Sequence, residues 1–230
     1  MKTWFVTGAS RGLGRALAAA VLEAGNAVVL TARDTAHLND IVGRYPERAI
    51  AVRLDVTRSG EAETAIAAAI ARFGRVDVLV NNAGYGLVGA VEEVQPHEYR
   101  TLFDTNVFGL IETTKAALPI FRQQKGGLIV NISSVGGMSG RAGFGLYNSS
   151  KFAVEGFSEA LAEEVAPFGT RVLIVEPGAL RTDFLDPASI VVTTNQMADY
   201  SSTAANARID RKSTRLNSSH RSLSRMPSSA

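Results

Sequence analysis

Thr7-Gly8-Ala9-Ser10-Arg11-Gly12-Leu13-Gly14 follows the apolar run Trp4-Phe5-Val6. It leads into a helical pattern in which Leu13, Leu17, Ala20 and Val21 share one side until Gly25 ends it. A strand that breaks into glycines and then becomes a helix is a phosphate cradle. Backbone N–H groups and the helix dipole point at the anion, and missing side chains let it approach. The spacing here is G-x-x-x-G-x-G rather than G-x-G-x-x-G. A tight turn whose glycines serve only packing is the alternative reading of the motif taken alone.

Working outward, short apolar runs alternate with helical patterns. Strands are expected over 27–30, 49–56, 76–80, 127–132 and 171–175. Ile66, Ile70 and Phe73 stripe a helix that Gly74 stops. One long helix is expected over 96–124, with Pro119 disturbing its last turns. Another is expected over 147–166, with Val154, Phe157, Leu161 and Val165 on one side. The strands are continuous apolar runs, as burial on both faces requires. The pattern therefore predicts an α/β fold, a doubly wound parallel sheet of Rossmann type in three αβα layers.

The end of the second strand bears on what the cradle would hold. An acidic residue there would bind a ribose 2′-hydroxyl. Ala32 stands at that position, Arg33 follows it, and Arg11 lies inside the glycine loop. Two guanidinium groups suit a 2′-phosphate, so NADP(H) is favoured over NAD(H). Two ordinary solvated arginines are the alternative. Tyr147 and Lys151 stand at i and i+4 on one helix face. Asn81-Asn82-Ala83-Gly84, Ser133-Ser134 and Pro177-Gly178 all close strands at their carboxyl ends, where open α/β sheets bind ligands.

With these residues in hand, the chain resembles the one-domain short-chain dehydrogenases/reductases, in the branch similar to 17β-hydroxysteroid dehydrogenases. The matching stretches are TGASRGLG, LDVT, NNAG, TNVFG, IVNISS, YNSSK and EPGALRT, in family order over about residues 2–205. The resemblance implies hydride transfer between a nicotinamide cofactor and an alcohol or carbonyl. It makes Tyr147 the general acid/base. Ser134, rather than Ser133, is the partner of the substrate oxygen. Lys151 binds the nicotinamide ribose and lowers the tyrosine pKa, and Asn106 supports a proton relay. Gly8, Ser10, Arg11, Gly12, Leu13 and Gly14 become the pyrophosphate loop, and Arg33 lies by the ribose. Asp55 and Val56 flank the adenine, and Asn82, Ala83 and Gly84 line the cleft. Pro177 and Gly178 lie beside the cofactor, with Thr182 on the carboxamide. A carbonyl receiving hydride develops negative charge on oxygen, which accounts for a proton donor and hydrogen bonds at that point.

Two readings from other classes compete. A nucleotide-sensing regulator that binds NADP(H) without chemistry would need none of Ser134, Tyr147 and Lys151. A sugar-nucleotide epimerase would have a longer chain and other glycine spacing. Leu87, Val88, Val135, Met138 and Phe144 near the cleft are apolar and favour a lipophilic substrate. His37 and His97 lack partners at metal spacing, so no metal site is expected. Glu92-Glu93 and Glu163-Glu164 read as solvated faces, and Glu176 as structural.

Composition bounds the rest. The 230 residues suffice for one domain with a sizeable core. There is no cysteine, hence no disulfide framework. No apolar run is long enough to span a membrane and no signal segment is evident, so a cytoplasmic protein is expected. The net charge of +2 divides unevenly: Arg211, Lys212, Arg215, Arg221 and Arg225 against Asp210 make residues 210–230 +4 and leave residues 1–209 at −2. The body gives no electrostatic reason to expect nucleic acid. Codons for Asp210 to His220 can be chosen that spell a common sequencing-library adapter, and Ser224 to Ala230 continues it in the same frame. Residues 210–230 are therefore expected to be a translated adapter, disordered, joined to a domain over 1–209 that lacks its last strand. The intact protein is expected to be a homo-oligomer acting on a small alcohol or carbonyl compound.

Overall fold

The computed structural model of the protein describes residues 1–178, 189–204 and 207. The glycine stretch joins β1 (Thr3–Val6) to α1 (Gly12–Glu23). There follow β2 (Ala27–Ala32), α2 (Asn39–Arg44), β3 (Ala49–Arg53), α3 (Glu61–Phe73), β4 (Val78–Asn81), β5 (Gly86–Val88) and α4 (Pro96–Phe103). The chain continues through α5 (Gly109–Gln124), β6 (Gly127–Ile132), α6 (Gly145–Val165), β7 (Thr170–Val175) and β8 (Ile190–Val192).

Six strands form one parallel sheet in the order β3-β2-β1-β4-β6-β7. Successive residues of each strand enter different cores, because strand side chains alternate between faces. Phe5, Val29, Leu79 and Ile129 pack with Ala65, Ala69, Ala117, Phe121 and Leu161 of α3, α5 and α6. Val6, Val28, Leu30, Val78, Val80 and Val130 pack with Ala18, Val21, Leu22 and Ile41 of α1 and α2. This is the doubly wound three-layer arrangement that the apolar runs predict. The strand order reverses between β1 and β4, so the cradle and Asn82 meet at the crevice of the switch point. Among the described residues no strand pairs with the outer side of β7, and Leu173 there is 50% exposed.

Several features differ from the sequence reading. The single helix expected over 96–124 is divided by a π-helical turn at Asp104–Phe108. Such insertions favour functional sites, and Asn106 lies in this one. Pro119 lies within α5, which runs on to Gln124. The short strands β5 and β8 form a second parallel pair, Gly86 with Ile190 through Val88 with Val192. Glu93 is not on a solvated face: it is fully buried, while Glu92 is exposed. Among the described residues no helix is long and apolar enough to cross a membrane. No group of three or more His, Cys, Asp or Glu there could hold a metal ion.

Candidate active site

The loop after β1 is built for close approach. Gly8 and Gly12 have φ of 65° and 54°, a region that side chains disfavour. A Cβ on Gly14 would lie 2.4 Å from Asn82 Nδ2 and 2.6 Å from the Gly8 carbonyl oxygen, whereas one on Gly12 would meet nothing within 4 Å. Gly14 is therefore a packing glycine and Gly12 faces open space. The N-cap, Arg11, makes no side-chain capping hydrogen bond, and no acidic residue occupies the first turn of α1. The partial positive charge of that helix end is left for an anion. Ser10 is half-buried and Arg11 exposed beside it. Leu13 is half-buried.

Thr7 clasps the two halves of the sheet. Its hydroxyl oxygen accepts from the N–H groups of Asn82 and Ala83, each at 2.9 Å. The Asn82 side chain returns hydrogen bonds to the carbonyls of Thr7 (2.9 Å) and Gly8 (3.1 Å). Asn82 and Ala83 thus shape the glycine loop, a role that its sequence neighbourhood does not announce for Thr7.

At the end of β2, Ala32 is buried and Arg33 exposed. Burial pushes the Asp55 carboxyl up, but it is outweighed: Thr57 hydrogen bonds and the charges of Arg33 and Arg58 hold it below the usual range. The Thr57 hydroxyl and N–H donate to Asp55 Oδ1 at 2.8 and 3.1 Å. Val56 packs against the start of α5, where a Cβ on Gly109 would lie 2.7 Å from Val56 Cγ2.

A polar cluster around Tyr147 sits near the carboxyl ends of β4 and β6. Tyr147 is 5% exposed on α6. Burial pushes its phenol above the usual range, and a hydrogen bond with the Ser134 side chain pulls the other way. The direction is opposite to the depression that the resemblance implies: desolvation outweighs the Ser134 hydrogen bond, and Lys151 Nζ stands 6.0 Å from the Tyr147 ring centre. Lys151 is 7% exposed and donates to the Ile132 carbonyl at 2.8 Å. Its burial lowers its pKa to about 8, against an upward pull from Glu155.

Ser134 is the serine beside Tyr147. Ser133 instead donates to Glu155. Ser134 Oγ accepts from the Gly136 N–H at 3.0 Å, and Asn148, unnoticed in the sequence, pins this loop by bonds to the Gly136 carbonyl (2.9 Å) and the Arg141 N–H (3.0 Å). Asn106, 1% exposed, spends its side chain on structure. It bridges the Tyr85 N–H and carbonyl at 3.0 and 2.9 Å and donates to Ser150 Oγ at 3.1 Å. A Cβ on Gly84 would come within 3.0 Å of Asn106 Oδ1 and 3.8 Å of Lys151 Nζ, so Gly84 brings the fourth strand's loop against the cluster. The Pro177 carbonyl accepts from the Val135 N–H at 3.3 Å, and Gly178 follows it at the end of β7. Thr182 lies outside the described residues.

The cradle lies at the switch point, in the crevice where open α/β sheets bind dinucleotides. A family model described as short chain dehydrogenase matches residues 2–190. The 3-ketodihydrosphingosine reductase of Bacteroides thetaiotaomicron is 43% identical over 195 residues, 85% of this chain and 70% of that protein. The crystal structure of a short-chain dehydrogenase from Streptomyces avermitilis superposes with a TM-score of 0.86 at 48% identity, covering 90% of this chain and 76% of that one. That of a 3-ketoacyl-(acyl-carrier-protein) reductase from Brucella melitensis, complexed with NADH, gives 0.78 at 32% identity over 83% of this chain and 80% of that one. On its glycine cradle, its tyrosine–lysine helix and these likenesses, the chain belongs to the short-chain dehydrogenase family of NAD(P)-dependent oxidoreductases.

Proposed function

We propose that the protein transfers a hydride reversibly between NADP(H) and the carbinol or carbonyl carbon of a lipophilic substrate, with Tyr147 as general acid/base. The observation that carries this reading is the hydrogen-bonded pair of Tyr147 and Ser134 beside the buried Lys151. The bound nicotinamide supplies or receives the hydride. In reduction, Tyr147 donates its phenolic proton to the oxygen that gains charge, and Ser134 orients that oxygen. Burial keeps the phenol protonated and ready for this role. Lys151 holds the nicotinamide ribose and stabilises the phenolate that proton donation leaves. Asn106 acts by bracing Tyr85 and Ser150, the latter of which donates to the Tyr147 carbonyl at 2.7 Å.

The preference for NADP(H) rests on two guanidinium groups, Arg33 at the end of β2 and Arg11 in the glycine loop, both exposed. The lipophilic substrate rests on Val135 and Met138, which follow Ser134 in its loop at 51% and 59% exposure. A relative named for reducing 3-ketodihydrosphingosine is in keeping with it. The experiment is a panel of ketones and aldehydes of increasing apolar size, read by NADPH and NADH consumption, on the wild type and Arg33→Asp. Turnover with kcat/KM favouring NADPH is expected, and Arg33→Asp should shift the ratio toward NADH by roughly tenfold or more, as loss of a charge-assisted contact implies. No turnover of any carbonyl would sink the enzyme reading. An unchanged ratio would remove Arg33 from the ribose.

A further inference from the structure

Glu93 has no place in the hydride chemistry, yet its side chain is 0% exposed. One carboxylate oxygen accepts from the Ala90 N–H at 2.7 Å within its own turn, between β5 and α4. The other accepts from the Met197 N–H at 2.8 Å, from a segment about a hundred residues later. The backbone carbonyl of Glu93 lies 3.3 Å from both Thr193 Oγ1 and Asn195 Nδ2. The Thr193 hydroxyl, buried, is 2.8 Å from Glu98 Oε2, the oxygen that also accepts from the Gln95 N–H in the capping box of α4. Gly89 permits the approach: a Cβ there would lie 2.5 Å from Thr193 Cγ2. Tyr200 adds a bond from its hydroxyl to Glu92, at 2.5 Å.

The segment so held has access to the substrate side. Its strand β8 pairs with β5. Leu87 of β5 shares an apolar cluster with Val94, Leu102 and Tyr147, and Val88 packs with Ile190, Ala207 and Phe144. A shift of residues 189–204 would therefore move the apolar wall that stands against Tyr147, while the glycine cradle is held separately by Thr7, Asn82 and Ala83.

We propose that Glu93, with Thr193 and Glu98, is a latch that positions the 189–204 segment as the substrate wall and so sets how tightly a bulky apolar carbonyl compound binds. It is a positioning residue, and the proposal rests on the reading of Tyr147 as the reacting group. Glu93→Gln keeps the shape but turns an amide NH2 toward a backbone N–H. Thr193→Val removes the hydroxyl at constant volume and serves if Glu93→Gln fails to fold. Both are made in the full chain and assayed with the bulkiest and the smallest ketone that the wild type reduces.

Loss of a buried hydrogen-bond partner should raise KM for the bulky ketone by roughly tenfold. The KM of the small ketone and kcat should change by less than about threefold, NADPH affinity should hold, and amide exchange over 190–197 should quicken. Unchanged KM and exchange in both variants would overturn the latch. So would an equal loss for both ketones together with NADPH affinity, since Glu93 would then serve only the fold. A wild type that reduces no ketone would instead refute the underlying function, with the exchange measurement still deciding whether Glu93 holds the segment.

Discussion

At the scale of single residues, the site contains two groups whose burial works against their charged forms. Tyr147→Phe keeps the ring packing with Phe144, at 6.4 Å between centroids, and removes only the hydroxyl. It should bind NADPH as the wild type does and lose about 10²–10⁴ in kcat, as removal of an acid–base group does. A tenth or more of wild-type turnover would rule Tyr147 out. Lys151 is the second case. Its ammonium is buried, and its pKa falls from 10.5 to about 8. Below about pH 8 the folded protein carries that charge at a cost. Between the two values the unfolded chain keeps a proton that the folded chain gives up, so this contribution to stability rises with pH. Lys151→Met should thus be more stable than wild type at pH 7, by about 1–3 kcal/mol, and nearly inactive. Urea unfolding of both proteins at pH 7 and pH 10 tests it: the gain should shrink at the higher pH, and a less stable variant at pH 7 would contradict the sign.

At the scale of elements, the turn from β1 to α1 depends on contacts from another strand's loop. Gly14→Ala would press a methyl group onto Asn82 and the Gly8 carbonyl, and the carbonyl is backbone that cannot swing aside. Overpacking of this kind costs about 1–3 kcal/mol, and the cradle should lose NADPH affinity by roughly tenfold or more. Fluorescence titration with NADPH checks it, and an unchanged affinity would show that the cradle accommodates the methyl. The central strands of the main sheet are legible because both faces of β1, β2 and β4 are buried, which writes an unbroken apolar run. The π turn at Asp104–Phe108 was not, since one inserted residue hardly disturbs a helical pattern. β5 and β8 are three residues each and have no periodicity to read. Glu93 beside Glu92 looks like any acidic surface pair. Its burial is created by Met197 and Thr193, far along the chain, and nothing local encodes that.

At the scale of the whole molecule, the candidate site draws on different kinds of element. Asn82, Gly84 and Ser134 follow the carboxyl ends of β4 and β6, which apolar runs locate, whereas Tyr147 and Lys151 are carried on α6 and Asn106 in the π turn. Which serine turns toward Tyr147 is set by packing: Ser134 hydrogen-bonds with Tyr147, whereas Ser133 donates to Glu155. What the amino-acid order did not carry is the desolvation of the Tyr147 phenol, which outweighs its Ser134 hydrogen bond and depends on the packing around it. The clasp of Thr7 with Asn82 and Ala83 has a kinetic side. Thr3 to Val6 can meet Ala27 to Leu30 across one helical crossover, but Trp4 meets Val78 only after two further βα units have been wound. Parallel pairings over such separations are slow to form, because loop closure precedes the contacts that reward it. The dinucleotide loop is finished only by that late pairing. During refolding from urea, NADPH binding should therefore recover with the slowest folding phase, after most of the helical signal has returned; recovery in step with the helical signal would place the β1–β4 junction early. Ligand added at the start would leave the rate of that phase unchanged. It would hold the protein in the folded state once there, by about 2.7 kcal/mol at a hundredfold excess over Kd. On that outcome the cofactor would act as a ratchet on folding rather than a template for it.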